Sequence, residues 1–177
     1  DYADALIDDS GSFQNFNPQD HNIDFINGGK ILFGLFDRTK ENKYLIALKT
    51  LRKQFDDHPR TTSGGFWHKK IYPNQMWLDG LYMGEPFYAR YTAEYEEGEK
   101  FNDVAHQFEL LRNHTFDKKT GLFFHAWDES KKMPWSNQVT GTAPNIWLRA
   151  LGWYGMALVD VLDYFPKDFL CVIDESH

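Results

Sequence analysis

The sequence predicts an all-α fold, and three observations carry that prediction. Apolar residues recur at three- and four-residue spacing through most of the chain. Strand-like alternation is confined to short stretches such as Gly121-Leu122-Phe123-Phe124-His125. The periodic segments also come in pairs joined by few residues, the mark of antiparallel helical hairpins.

A first helix is expected from near Asp24, carrying Phe25, Ile26, Ile31, Leu32, Leu35 and Phe36. Asn27-Gly28-Gly29 weakens it early, in a way that suits close packing. A second follows with Tyr44, Leu45, Leu48, Leu51 and Phe55 as its apolar stripe, leaving Lys49, Arg52 and Lys53 elsewhere on its surface. A third starts after Tyr72-Pro73-Asn74, with Trp77, Leu78, Leu81 and Tyr82, and runs towards Tyr91; Pro86 should kink or interrupt it. The fourth spans roughly Asn102 to Asn113 with Val104, Phe108 and Leu111. The fifth runs from about Asn145 to Asp163 behind Pro144, with Leu151, Tyr154, Leu158, Val161 and Leu162 along it.

The 177 residues form one domain, 1–177. The formal net charge of −7 lacks the broad positive field that phosphate backbones require, so nucleic acid is not an expected partner. No apolar run approaches a membrane span and no leader pattern opens the chain, so no membrane is expected either. The single cysteine, Cys171, excludes an internal disulfide and a thiolate metal cage. An acidic chain with one cysteine suits the cytoplasm, with secretion as the alternative.

Aromatic residues are the informative excess: 15 Phe, 9 Tyr and 6 Trp make 17% of the chain. Many sit within a residue or two of a polar group, as in Trp67-His68-Lys69-Lys70, Gln75-Met76-Trp77-Leu78-Asp79 and Trp147-Leu148-Arg149. Such pairing suits a sugar ring, whose apolar face stacks on indole while its hydroxyls need fixed partners. A Trp-rich core with polar neighbours facing water fits the same composition. Two long connections, about Asp56 to Gln75 and His114 to Pro144, hold most of the Trp, His, Pro and Gly outside helices, and loops of that length are commonly functional.

Helical hairpins in a ring would place the first helix of each pair at the centre. Asp24, Asp79 and Arg149 then lie near equivalent ends of three inner helices and can converge in one pocket. On spacing alone Asp24 also fits a stabilising N-cap or first-turn carboxylate. Asp79 sits in the otherwise apolar Trp77-Leu78-Asp79-Gly80-Leu81-Tyr82-Met83, where an unpaired carboxylate is costly to bury.

The string Tyr72-Pro73-Asn74-Gln75-Met76-Trp77-Leu78-Asp79-Gly80-Leu81-Tyr82-Met83-Gly84 resembles glycoside hydrolase family 105, the unsaturated rhamnogalacturonyl hydrolases. His125-Ala126-Trp127-Asp128-Glu129-Ser130, Pro134-Trp135, Thr140-Gly141 and Trp147-Leu148-Arg149-Ala150-Leu151-Gly152-Trp153-Tyr154-Gly155-Met156-Ala157-Leu158 follow in the family's order and spacing, from about Asp24 through Pro166. The resemblance implies an (α/α)6 barrel of six hairpins, of which this chain supplies two and a half. It would begin after the family's first helices and stop before the second half of the ring, and the tail from Phe169 to His177 departs from the family's pattern.

The resemblance also implies the chemistry. The substrate would be an unsaturated galacturonyl-rhamnose disaccharide or short oligosaccharide left by a pectin lyase. The enzyme would hydrate the C4=C5 vinyl ether, with a proton going to C4 and water to C5, and the resulting hemiketal would expel rhamnose. Asp79 matches the family's catalytic aspartate, acting as acid to C4 and base to the water, and Asp24 matches the second acidic residue. His68, Lys69, Trp77, His125, Trp147, Arg149 and Trp153 match substrate contacts. Arg149 and Trp153 are four apart and can face the same way from one helix. His68 with Lys69 and Lys70 also reads as a solvated basic turn. Asp128 and Glu129 are read as loop residues shaping the pocket.

No cofactor is implied, and the seven histidines offer no metal-binding pair at i, i+4. A Gly-x-Ser-x-Gly elbow and a Walker-type loop are both missing. Two other readings stay open: an inverting glycosidase on saturated substrates with Asp24 and Asp79 as acid and base, and a non-catalytic carbohydrate-binding or incomplete domain.

Overall fold

The structure, a computed structural model, describes residues 2–169, so the expectations for Cys171 and the remaining tail lie outside the described residues. Helices α1 (Tyr2–Ala5), α2 (Lys30–Thr39), α3 (Asn42–Asp57), α4 (Leu78–Tyr95), α5 (Phe101–Thr115) and α6 (Leu148–Leu162) make up most of the order, joined by two 3-10 segments at Pro18–Asp20 and Ile23–Gly29. Four short strands complete it: β1 (Gln75–Trp77), β2 (Phe116–Asp117), β3 (Leu122–Phe123) and β4 (Ala126–Asp128). The all-α class stands. Among the described residues no closed barrel forms, and no helix is long and apolar enough to cross a membrane.

The helix expected from Asp24 is split in two. Asn22 caps the 3-10 segment by accepting from the Asp24 N–H at 3.0 Å, so the cap is Asn22 and not Asp24. Glycine's poor helix propensity at 28 and 29 fits the change of winding before α2. Gly29 also meets the side chains of Leu51 and Phe87 so closely that no Cβ fits, which is the close packing the glycines suggested. In α2, Leu32, Phe33 and Leu35 are buried, whereas Ile31 is 54% exposed, contrary to its place in the expected stripe. Arg52 on α3 is a second departure. It is buried, and it is tolerated there because Asp56 (2.7 Å) and Glu96 (2.9 Å) pair with its guanidinium.

Helix α4 runs through Pro86 without a break. Proline has no N–H to give the carbonyl four residues earlier, and that carbonyl, on Tyr82, accepts from Lys30 Nζ at 2.8 Å instead. The same ammonium sits 3.4 Å from the centroid of the Tyr82 ring, and burial pushes the Lys30 pKa down to about 8. A cation from α2 thus replaces the missing helical bond and ties the two helices together.

Helix α4 packs between α6 on one side and the Ile23–Gly29 segment on the other, while α3 packs behind α2 and α5 behind α4. The buried residues of all these elements form a continuous cluster, with Phe33, Phe55, Phe66, Phe87 and Tyr88 in mutual ring contact. Helix α6 starts at Leu148, later than expected, and buries Ala150, Tyr154, Ala157 and Val161. Leu158 and Leu162 belong instead to an exposed apolar face with Leu148, Met156 and Val159.

Antiparallel pairing of β1 with β4, Gln75 opposite Asp128 and Trp77 opposite Ala126, brings the start of α4 against the second long loop. Three-residue strands show too little alternation for periodicity to find them. The first loop is clamped to the second by Glu129, whose carboxylate accepts from the backbone and hydroxyl groups of Thr62 and Ser63 at 2.7–3.2 Å. Asp128 is fully buried and accepts from Ser130, Lys132 and Met133, all within its own turn. Both acids therefore shape loops, as their positions suggested.

Candidate active site

The β1 strand ends at Trp77 and α4 begins at Leu78, so Asp79 falls in the first turn of a helix, where the backbone N–H groups favour a negative charge. Its side chain is 11% exposed. One oxygen, Oδ1, accepts from Arg149 Nε at 2.8 Å, and the other, Oδ2, is buried without a hydrogen-bond partner. Arg149 lies in the first turn of α6, so the α4–α6 packing brings together charges 70 residues apart.

Asp24 is engaged differently. Its two oxygens meet His68 Nε2 at 3.3 Å and Lys69 Nζ at 2.7 Å. His68 is 3% exposed and so is not part of a solvated basic turn, while Lys69 is fixed by its ion pair. Burial pushes the His68 pKa down to about 4, against the upward pull of Asp24, so the ring is neutral near pH 7.

Flat rings line the same region. His68 stacks on Trp77 at 4.5 Å and 8°, and Trp77 stacks on Tyr72 at 5.3 Å and 9°. The indole N–H of Trp77 donates to Gln75 Oε1 at 3.1 Å, which holds the ring in this plane. His125 stacks on Trp147 at 4.4 Å and 6°, and the Arg149 guanidinium lies 5.0 Å from the Trp147 ring. Both His125 Nδ1 and the His125 backbone N–H approach the Asn145 carbonyl, at 3.0 and 3.2 Å, which fixes the approach to α6. Trp153, one turn beyond Arg149, packs on Tyr82 at 4.6 Å, the ring that Lys30 holds.

The nine residues singled out from the sequence fall into two groups that meet where Trp77 leads into Asp79, with Trp153 set apart on α6. Asp79 pairs with Arg149, Arg149 covers Trp147, Trp147 stacks on His125, and His68 links Asp24 to Trp77. Trp153 joins through α6 and Tyr82. Sequence reading missed Tyr72, which extends the stack of His68 and Trp77, and Lys30 and Tyr82, which support Trp153. The signal for Lys30 was Pro86, because a proline inside a helix leaves a carbonyl free for some other donor. Among the described residues no group of three or more His, Cys, Asp or Glu is placed to hold a metal.

An open cavity of about 1020 Å³ lies apart from these residues, between the end of α5 and the second long loop, with Trp127, Trp135 and Phe116 in its wall. It contains neither Asp24 nor Asp79, and the carboxylate geometry, not the cavity size, locates the candidate site.

The chain is similar to known proteins along most of its length. The family model described as Glycosyl Hydrolase Family 88 matches residues 1–169. A solved structure from C. acetobutylicum, described as a glycoside hydrolase from family 105, superposes with a TM-score of 0.91 at 51% identity, covering 94% of this chain and 46% of that one. Unsaturated rhamnogalacturonyl hydrolase YesR of Bacillus subtilis is 29% identical over 146 residues, 77% of this chain and 40% of that protein. Protein Atu3128 of Agrobacterium fabrum is 41% identical over 86 residues, 49% of this chain and 36% of its own length. The chain thus spans less than half the length of each of these relatives.

Proposed function

The chain belongs to glycosyl hydrolase family 88, and on that premise we propose that it carries the acid/base side of an unsaturated rhamnogalacturonyl hydrolase site. The substrate is a disaccharide or short oligosaccharide ending in a 4,5-unsaturated galacturonyl residue linked to rhamnose. One observation carries the reading: Asp79 has one oxygen held by Arg149 and the other buried without a partner. A carboxyl so arranged is oriented by its first oxygen and exchanges a proton through its second.

Asp79 gives its proton to C4 of the vinyl ether while water attacks C5, and the water's proton returns to the same carboxylate. The C5 hemiketal then opens, the C1 linkage breaks and rhamnose leaves, with proton count unchanged. Arg149 orients Asp79 and stands over Trp147, beside a ring on which the apolar face of a sugar can stack. Asp24 serves as a fixed acceptor. Lys69 and His68 occupy its oxygens, which disfavours an inverting mechanism, because that needs a second carboxylate free to activate water.

The test is ultraviolet absorbance of the conjugated double bond when the chain meets unsaturated galacturonyl-rhamnose. Loss of absorbance with release of rhamnose is the expected result. Persistence of the signal, with cleavage of a saturated galacturonyl glycoside instead, would replace hydration by ordinary glycoside hydrolysis.

A further inference from the structure

The proposed reaction gives no part to the buried carboxyl of Glu85, which, unlike Asp128, accepts no hydrogen bond on one of its oxygens. Glu85, on α4 two turns below Asp79, is 1% exposed, and its Oε2 has no hydrogen-bond partner. His68 Nδ1, on the ring that faces Asp24, is also buried and without a partner. Both residues line the same small cavity, about 10 Å³, which is room for about one water molecule.

The other polar side chains in that wall are already committed. Trp77 donates to Gln75, and Gln107 accepts from the Phe66 N–H while donating to Gly64 and Asp103. Gly80 completes the wall, and a Cβ there would stand 2.9 Å from His68 Nδ1, so the absence of a side chain keeps that nitrogen open to the cavity.

The protonation states complement one another. A neutral imidazole carries a single N–H, and the carboxylate of Asp24, 3.3 Å from Nε2, favours the hydrogen on that nitrogen without fixing it alone. Nδ1 is then a bare lone pair in the interior and needs a donor. Burial keeps Glu85 protonated well above the ordinary carboxylate range, Asp103 adds to the effect and Arg60 opposes it.

We propose that Glu85 is a positioning residue of this site: its carboxyl O–H donates through one water to His68 Nδ1 and fixes the tautomer that presents Nε2–H to Asp24. The inference deepens the proposed function and rests on it, since Asp24 is read there as a fixed acceptor held by His68 and Lys69. The relay fixes which way the Asp24 carboxylate is held, and Glu85 itself touches no substrate.

The experiment reads the tautomer directly. In the ¹⁵N-labelled chain, two-bond ¹H–¹⁵N correlations of the His68 ring, assigned by their loss in His68→Gln, report which nitrogen carries hydrogen. Nε2–H is expected in the wild type and in Glu85→Gln, whose amide still donates. In Glu85→Leu and Glu85→Met, which cannot donate, that preference is lost. Turnover falls on the order of tenfold in the Leu and Met variants and recovers in the Gln variant, as expected for loss of one buried hydrogen bond. Nδ1–H in the wild type, or an unchanged tautomer in Glu85→Leu or Glu85→Met, would overturn the proposal. The wild-type spectrum alone decides if neither variant folds. Because the tautomer is read without substrate, failure of the hydration reading shows separately, as absent turnover in a chain whose His68 carries the expected hydrogen.

Discussion

The stack of Tyr72, Trp77 and His68 and the stack of His125 and Trp147 both adjoin the Asp79–Arg149 pair, but they differ in what holds them. In the first, the rings are wedged between the first loop and α4, His68 is 3% exposed, and Trp77 is fixed by a hydrogen bond to Gln75. In the second, Trp147 is 43% exposed just before α6, and its support is one histidine ring and one guanidinium. The first stack has His68 buried and Trp77 and Tyr72 half-buried over it, directly before the turn of α4 that carries Asp79. The second stack lies at the surface, with Trp147 43% exposed beside His125 and Arg149, and on the proposed function it is the part that a sugar can reach. One site therefore contains a wall whose stability is set by packing and a platform whose value lies in binding.

Breaking the chemistry common to both should give the largest effect. Asp79→Asn keeps the shape and the contact with Arg149 but cannot shuttle a proton, so turnover should fall by about 10²–10⁴-fold with sugar affinity nearly unchanged. Absorbance kinetics and calorimetric titration on the same preparation check both halves, and wild-type-like turnover would remove Asp79 from the chemistry.

Acid sharpens the contrast next. His58 and His68 both have pKa values pushed down to about 4 by burial. Between about 4 and their ordinary value near 6.5 the unfolded chain binds protons that the native chain does not. Their contribution to stability is therefore complete above pH 6.5 and declines as pH falls through that window, by at most roughly 3 kcal/mol each. Urea midpoints at pH 7 and pH 4.5 measure it. Trp147→Ala should leave the acid limb intact, because the exposed stack shares neither histidine, and a stability flat between those pH values would contradict the burial of the inner stack.

The two tryptophans themselves give a crossed comparison. Trp77→Ala should cost more stability than Trp147→Ala, because its half-buried ring is stacked on both His68 and Tyr72 and held by Gln75, and activity should fall with it because Asp79 follows two residues later. Trp147→Ala should change the melting temperature little and weaken sugar binding by about tenfold, as loss of an aromatic platform does. Melting curves and binding isotherms for the pair decide it; equal losses of stability would erase the distinction between wall and platform.

How far this arrangement could be read from the sequence depends on the residue. Helical pairing was legible because Tyr44, Leu48, Leu51 and Phe55, or Val104, Phe108 and Leu111, bury one face at helical spacing. Ile31, Leu158 and Leu162 were misassigned because an apolar residue on a helix declares a preference and not the presence of a neighbour. Arg52 was misread for the opposite reason: Glu96, which pairs with it, lies 44 positions further along the chain. Among the site residues, the charged ends of separate helices indicated Asp79 and Arg149. Nothing in the sequence indicated that Asp24 would be held by His68 and Lys69, or that Tyr72 would extend the inner stack, since a backbone bridge between Asn22 and Lys69, with the Ile23 N–H donating to the His68 carbonyl at 3.1 Å, brings the Asp24 segment against the first long loop.

The smallest expected effect comes from Arg149→Lys, and it tests what joins the two stacks. Arginine offers Asp79 an Nε donor at 2.8 Å while laying its plane near Trp147. Lysine keeps the positive charge but is a compact, strongly hydrated point charge with no plane to lay beside the indole. With the Arg149 side chain 53% exposed, the ion pair itself contributes little to folding, so the melting temperature should stay within error. The loss should fall on KM, by about fivefold, of the order of 1 kcal/mol for one charge-assisted hydrogen bond weakened at a half-exposed position. If kcat falls instead and KM holds, then Arg149 acts on the orientation of Asp79 more than on the platform, and the join belongs to the buried wall.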